Sequence, residues 1–146
     1  MLCTGAAWDS MLDFIKDSSH NVTSSSRWGN YLDSDTYKVY RGSLYSNSTW
    51  ARADTTNGSD VTKDTSILLT TGATERNKRN SSKNIYDVAG NCDEWTTEAN
   101  YTDLRVIRGG YCSCSGSSTP ASGRNYSSPT SSYYSRSFRP LLYVAL

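Results

Sequence analysis

Apolar residues take helical spacing in one place, close to the N-terminus. Trp8, Met11, Leu12 and Ile15 fall at i, i+3, i+4 and i+7, a single stripe for a core. Thr4 is suited to the N-cap, Asp9 lies in the early turns and Lys16 in the last, where the helix dipole favours each charge. The helix is expected to stop before Asp17-Ser18-Ser19. From Asn21 to about Lys83 the pattern predicts loops and short strands. Ser24-Ser25-Ser26, Asn57-Gly58 and Asn80-Ser81-Ser82 supply turn chemistry, short polar side chains bonding locally to backbone. Trp28, Tyr31, Tyr37, Tyr40 and Trp50 are spaced irregularly, as aromatics that pin long loops onto a small core, and the charged run 75–83 reads as a solvated loop. After Asn84 the pattern sharpens. Ile85 and Val88 are apolar, Gly90-Asn91 is a turn, and Trp95-Thr96-Thr97 opens a strand. Residues 104–108 (LRVIR) alternate and carry β-branched side chains, predicting a strand that ends at Gly109-Gly110. Residues 138–146 (FRPLLYVAL) predict a closing apolar strand, with Pro140 at an edge or bulge.

The pattern thus reads as one helix among loops and short strands. Its 146 residues suit a single domain. Hydrophobic residues make up only 36%, yet there are four Trp and eleven Tyr, so a few large aromatics must anchor the core. Fifteen basic against fourteen acidic side chains leave a net charge of +1, which argues against a nucleic-acid partner. No apolar run approaches the ~20 residues of a membrane span, and no basic-then-apolar leader opens the chain, so neither membrane insertion nor a signal peptide is expected. Cys3, Cys92, Cys112 and Cys114 match no zinc spacing and read as free, partly buried thiols. On an extended segment Cys112 and Cys114 would point the same way.

Residues 111–138 stand apart. They hold eleven Ser and four Tyr in 28 positions, with only Arg124 and Arg136 charged. A flexible linker is one reading of such composition. The strand expected to follow must return to the same core, which favours a binding surface instead. Tyr gives rigid amphipathic contact at low entropic cost and Ser, Gly and Asn give adaptable hydrogen bonds, the composition of antibody paratopes.

Four ordered blocks resemble the formylglycine-generating-enzyme (sulfatase-modifying factor) family. Thr4-Gly5-Ala6-Ala7-Trp8-Asp9 is similar to its helix-opening segment, and residues 84–95 (NIYDVAGNCDEW) to its "N-x-x-D-x-x-G-N-V-W-E-W" stretch. Arg105-Val106-Ile107-Arg108-Gly109-Gly110 resembles "R-V-x-R-G-G-S", and Ser137-Phe138-Arg139-Pro140 the terminal "G-F-R-P". The resemblance implies an elaborated C-type lectin fold across residues 1–146, of α+β class, with a small antiparallel sheet, one or two helices and extensive irregular loops. Within that fold, 111–138 resembles the variable region of diversity-generating retroelement proteins, where adenine-directed mutagenesis rewrites Asn-type codons. Such rewriting cannot yield Lys, Glu, Gln, Met or Trp, and 111–138 contains none of them.

The resemblance implies a non-catalytic protein displaying Tyr111, Ser113, Ser115, Ser118, Gly123, Asn125, Tyr126, Ser127, Tyr133, Tyr134 and Ser135 to a protein or glycan on a cell surface. Tyr126, Tyr133 and Tyr134 would be its energetic anchors. Arg108, Arg124 and Arg139 are expected to pin loops with their planar donor forks. No cofactor is required by this reading, but the family also implies a structural calcium ion, mapped onto Asp87, Gly90, Cys92 and Glu94. Equally, Asp87 can be a turn residue and Glu94 a loop cap. A copper oxidase of the family type, or a degenerate relative of one, is the alternative, although the family's two cysteines have four residues between them and Cys112 and Cys114 only one. A structural virion decoration is a third reading. The source would be bacterial or phage and the location a virion or cell surface. Family domains open with a strand before the helix; without it, the closing strand around Leu141 to Val144 would leave an open edge, a route to oligomers.

Overall fold

Thr4 starts the helix as its side chain predicts: the hydroxyl accepts the Ala7 N–H at 3.1 Å, and α1 runs Gly5–Ile15. The computed structural model describes residues 1–74 and 81–141. Trp8, Leu12 and Ile15 of the expected stripe are buried, joined by Gly5, while Met11 is only partly covered. The charges act differently from expectation. Asp9 lies beyond the first turn and pairs with Arg108 and Arg124, and Lys16 is the C-cap residue, its ammonium on Asp13 at 2.7 Å.

Eleven strands follow among the described residues: β1 (Tyr37–Val39), β2 (Ser43–Ser46), β3 (Thr49–Arg52), β4 (Ser59–Val61), β5 (Leu68–Leu69), β6 (Ser81–Ser82), β7 (Ile85–Tyr86), β8 (Asp93–Tyr101), β9 (Leu104–Arg108), β10 (Arg124–Ser127) and β11 (Arg136–Phe138). The largest sheet has the order β10-β9-β8-β11; β11 runs parallel to β8 and the other pairs are antiparallel. A three-stranded sheet β3-β2-β5 and the pairs β1-β4 and β6-β7 complete the set, so the α+β class holds. Ser81–Ser82, expected as turn, is a strand instead, and the turn falls on Lys83 and Asn84, both left-handed. The rest of the charged run, 75–80, lies outside the described residues. Among those described, no helix is long and apolar enough to cross a membrane.

Two cores form. Trp8, Leu12 and Ile15 meet Cys3, Trp28, Tyr31, Val88, Ala89 and Ala121, while Val39, Leu44, Ala53, Val61, Ile67, Leu69 and Ala73 pack under the hairpins. Gly90 joins the two regions. Its φ of +70° favours glycine, and a Cβ there would stand 2.1 Å from the Asn30 carbonyl oxygen.

The closing strand differs from the expectation for 138–146. β11 ends at Phe138, and 142–146 lie outside the described residues. The edge of 139–141 is not open either. Cys3 N–H donates to the Arg139 carbonyl at 3.0 Å, Leu141 N–H to that of Met1 at 2.7 Å, and Leu2 bridges Pro140. Cys112 and Cys114 sit on a turn, with Cys114 N–H bonded to the Tyr111 carbonyl, so the extended-strand argument for a shared direction does not apply. All four cysteines are free.

Candidate functional site

The Ser/Tyr-rich segment begins as a loop sewn onto the framework. Ser25 N–H donates to the Gly116 carbonyl, Leu32 N–H to that of Cys114, and Cys112 N–H to that of Asn91. Asp33 gathers the loop, accepting from the Ser115 hydroxyl at 2.7 Å, the Ser26 hydroxyl at 2.8 Å and Gly116 N–H at 3.0 Å. Burial pushes this carboxyl up, but the three donors outweigh it and hold it below its ordinary value. Tyr31 and Arg108 fix the glycine turn from below. The Tyr31 hydroxyl donates to the Gly109 carbonyl at 2.6 Å, and fully buried Arg108 reaches Asp9 and the Ser122 carbonyl.

On this support the candidate residues fall into distinct groups. Ser118, Asn125, Tyr126, Tyr133 and Tyr134 are exposed, the three tyrosines at 57–59%. Tyr111, Ser113, Ser115, Gly123 and Ser127 are half-buried. The Ser113 hydroxyl is shared with Ser66, and that of Ser115 goes to Asp33. Ser135 requires a correction: it is 6% exposed, with its carbonyl accepting the Asp93 N–H at 2.9 Å, and belongs to the framework.

Register decides which of these lie together. Phe138, Trp95, Ile107 and Asn125 form one row across the large sheet, and Ser137, Glu94, Arg108 and Arg124 form the next, on the opposite face. Asn125 therefore shares a face with Phe138 and Trp95, whereas neighbouring Tyr126 points to the other face and meets Tyr101 edge-on at 6.3 Å. Tyr133 stacks on Arg136, 4.2 Å from the ring centroid, and Arg136 also lies over Trp95 at 5.2 Å. Tyr134 turns toward the second sheet, where its ring is 6.0 Å from Tyr45, itself 5.2 Å from Trp50. The segment thus supplies two aromatic groups, Tyr133 with Tyr134 beside β11 and Tyr126 on β10, at opposite edges of the sheet.

Fixed aromatics extend the first group, and the sequence reading assigned them elsewhere. Phe138 was expected inside a closing strand and Trp50 on the core, yet they are 67% and 53% exposed. Every residue of β3 is exposed, and Phe138 is the last residue of β11, whose other two are half-buried. For Trp50 the signal was Asn47-Ser48 between Tyr45 and Trp50, a hairpin turn flanked by aromatics.

Of the residues that the family resemblance assigns to calcium, Glu94 and the Asp87 carbonyl face the Arg139 guanidinium. Glu94 accepts from Arg139 through both oxygens, at 2.7 Å from Nη2 and 2.9 Å from Nε, and Arg139 Nη2 also donates to the Tyr86 carbonyl at 2.8 Å. Calcium needs six to eight hard oxygens. Here a carboxylate and a carbonyl already enclose a cation, Asp87 accepts the Gly72 N–H at 3.0 Å, Gly90 N–H donates to the Gly109 carbonyl, and Cys92 offers sulfur. The donor set does not fit calcium. Among the described residues no group of three His, Cys, Asp or Glu side chains is placed to hold a metal. Burial also raises the thiols of Cys3, Cys92 and Cys112, so at neutral pH they stay protonated. Beside Glu94 lies a cavity of about 260 Å³ lined by Leu68, Leu69, Asn91, Cys92 and Ser137, with Trp50 at its rim.

Burial pushes Asp87 and Asp93 each up to about 6, against the pull of Arg139 on the first and Arg136 on the second. Their folded values exceed the unfolded one, so their contribution to stability is full below about pH 4 and is lost as pH rises through 6. Asp33, shifted the other way, contributes above its unfolded value and loses this only at lower pH. The melting temperature is therefore expected to rise as pH falls from 7.5 to 5 and to drop again below 4. Thermal melts of the protein and of D87N and D93N check this. Each substitution should flatten the upper limb, by roughly 1–3 kcal/mol between pH 5 and 7.5.

No protein-family model, curated protein or solved structure matches this chain.

Proposed function

We propose that the chain is a non-catalytic recognition domain, an elaborated C-type lectin fold whose segment 111–138 is a diversified display region of the retroelement type. Its ligand is a protein or glycan on a cell surface, and its setting a phage particle or bacterial surface. One observation carries this reading: Tyr126, Tyr133 and Tyr134 are more than half exposed while the loop that precedes them is bonded into the framework. Large aromatics left in water on rigid backbone suit recognition, because contact area is gained without ordering a loop. The pairing of Ser115 with Asp33 and the burial of Ser135 narrow the exposed candidates to Ser118, Asn125, Tyr126, Tyr133 and Tyr134, divided between a Tyr133–Tyr134 group beside β11 and the β10 edge that carries Tyr126.

A display face must tolerate replacement. Tyr126→Ser and Tyr134→Ser are each expected to change stability by about 0.5 kcal/mol or less, as for other surface positions. Urea unfolding of the two variants measures this, and a loss above about 2 kcal/mol in both would make these tyrosines structural. Sequencing beside the gene tests diversification itself. A near-repeat of the segment differing only at adenines is the expected finding, and its absence would leave an invariant surface.

A further inference from the structure

Strand β3 lies outside the display segment and leaves one sheet edge open. It is the outer strand of the β3-β2-β5 sheet, and all four residues, Thr49, Trp50, Ala51 and Arg52, are exposed. Its inner edge pairs with β2 from Ser43↔Arg52 to Ser46↔Thr49 without a bulge. Among the described residues no other segment bonds to the outward main-chain groups. Asn47 and Ser48 are both left-handed, with φ of 48° and 62°, as in the two-residue turns that match strand twist and hold a hairpin stiff.

Open edges in natural sheets are guarded by shortness, charge, proline, a bulge or a covering segment. β3 has no proline, bulge or, among the described residues, covering segment; its guards are its four-residue length and the charge of Arg52, which disfavours a second copy of the same strand. Alternation places Trp50 and Arg52 on one face with Tyr45, and Ala51 on the other with Leu44, which lies in the core. Arg52 has no carboxylate partner among the described residues, whereas Arg108, Arg124 and Arg139 are all paired. The open backbone edge thus presents an aromatic ring and a cation two residues apart.

We infer that the edge of β3 takes an extended segment of a protein partner, adding it as a strand with an acidic residue opposite Arg52 and an aromatic or β-branched residue opposite Trp50. Main-chain hydrogen bonds supply affinity in this mode, and cross-strand pairs supply selection. A second copy of the chain fits less well. β3 contains no acid, so no register of two copies gives Arg52 a carboxylate. Tyr134, whose ring is 6.0 Å from Tyr45, places this edge beside the display segment.

The test is to pan a random dodecapeptide library against the full chain and synthesise the enriched peptides, with and without N-methylation at alternate amides. Expected are sequences with an acidic residue two positions from an aromatic or β-branched one. Binding by titration calorimetry should fall at least about tenfold on N-methylation and in R52E, and exchanging the peptide acid for lysine should restore binding to R52E. Trp50 and Arg52 are exposed, so W50A and R52E should keep the parent's melting temperature, which verifies the comparison. No enrichment, an enriched motif without an acid, or equal binding of the N-methylated peptide would overturn the inference. So would a dimer in sedimentation whose β3 amides are protected from exchange. Repeating the titration with Y133S separates the two surfaces: unchanged affinity locates binding on β3, and lost affinity assigns it to the display face instead.

Discussion

Arg139→Met is expected to cost about 3–5 kcal/mol, the range found when one partner of a buried ion pair is removed. Glu94 is 5% exposed, and both of its oxygens accept from the Arg139 guanidinium. Burial pushes the Glu94 carboxyl up to about 7 even with Arg139 present to pull it down. Without the guanidinium the carboxylate must take up a proton or stay charged in a site with little water, and both routes favour unfolding. The same side chain ties the Tyr86 carbonyl of β7 to the end of β11, and lies 5.9 Å over the ring of Trp8. The double variant R139M/E94Q isolates the charge, since an amide in place of the carboxylate no longer needs a cation. It should recover at least half of the loss in urea unfolding. A cost below about 1 kcal/mol for R139M alone would place the pair with weak surface bridges and remove it from the framework.

How far this was legible in the sequence depends on the range of the interaction. The helix was readable because cap and stripe lie within the twelve residues from Thr4 to Ile15, and both are local physics. β9 was readable for the same reason, and Gly109-Gly110 ended it at φ of +91° and +71°. The place of Phe138 was misjudged because hydrophobicity does not encode register: pairing parallel to β8 sets Phe138 beside Trp95 on the outer face, and a shift of one residue would have turned it inward. The same ignorance of register made the candidate tyrosines look like one patch. Tyr126 and Tyr133 are seven residues apart in sequence, but they border opposite edges of a four-stranded sheet. Ser115 and Ser135 resembled their neighbours in composition, and only the long-range partners Asp33 and Asp93 tell them apart. Glu94 and Arg139 could be picked out singly, but not as a pair, because 45 residues separate them.

Asn91 shows the same point at larger scale, and Asn91→Ala should be nearly as costly as the loss of Arg139. From sequence the residue is half of a turn, and its φ of 67° agrees. In the fold its amide is a buried clamp. Oδ1 accepts the Leu69 N–H at 2.8 Å and Asn30 Nδ2 at 3.0 Å, while Nδ2 donates to the Leu69 carbonyl at 2.9 Å. Asn30 continues the network to the Ile67 carbonyl and receives the Tyr37 hydroxyl. These bonds hold β5, and through β5 the β2-β3 hairpin with Tyr45 and Trp50, against the turn that opens the large sheet. Alanine leaves the Leu69 N–H and carbonyl without the amide, at about 1–3 kcal/mol for each buried group left unsatisfied, and adds a left-handed backbone that its side chain resists. The total should lie near 3–5 kcal/mol, with Asn91→Gly about 1 kcal/mol milder because glycine relieves only the backbone part. Hydrogen exchange gives the sharper readout. If the clamp positions the hairpin, amides of β2 and β5 should exchange faster in N91G while those of α1 keep their protection; equal acceleration in both would mean that Asn91 supports the whole domain and does not set where Trp50 stands.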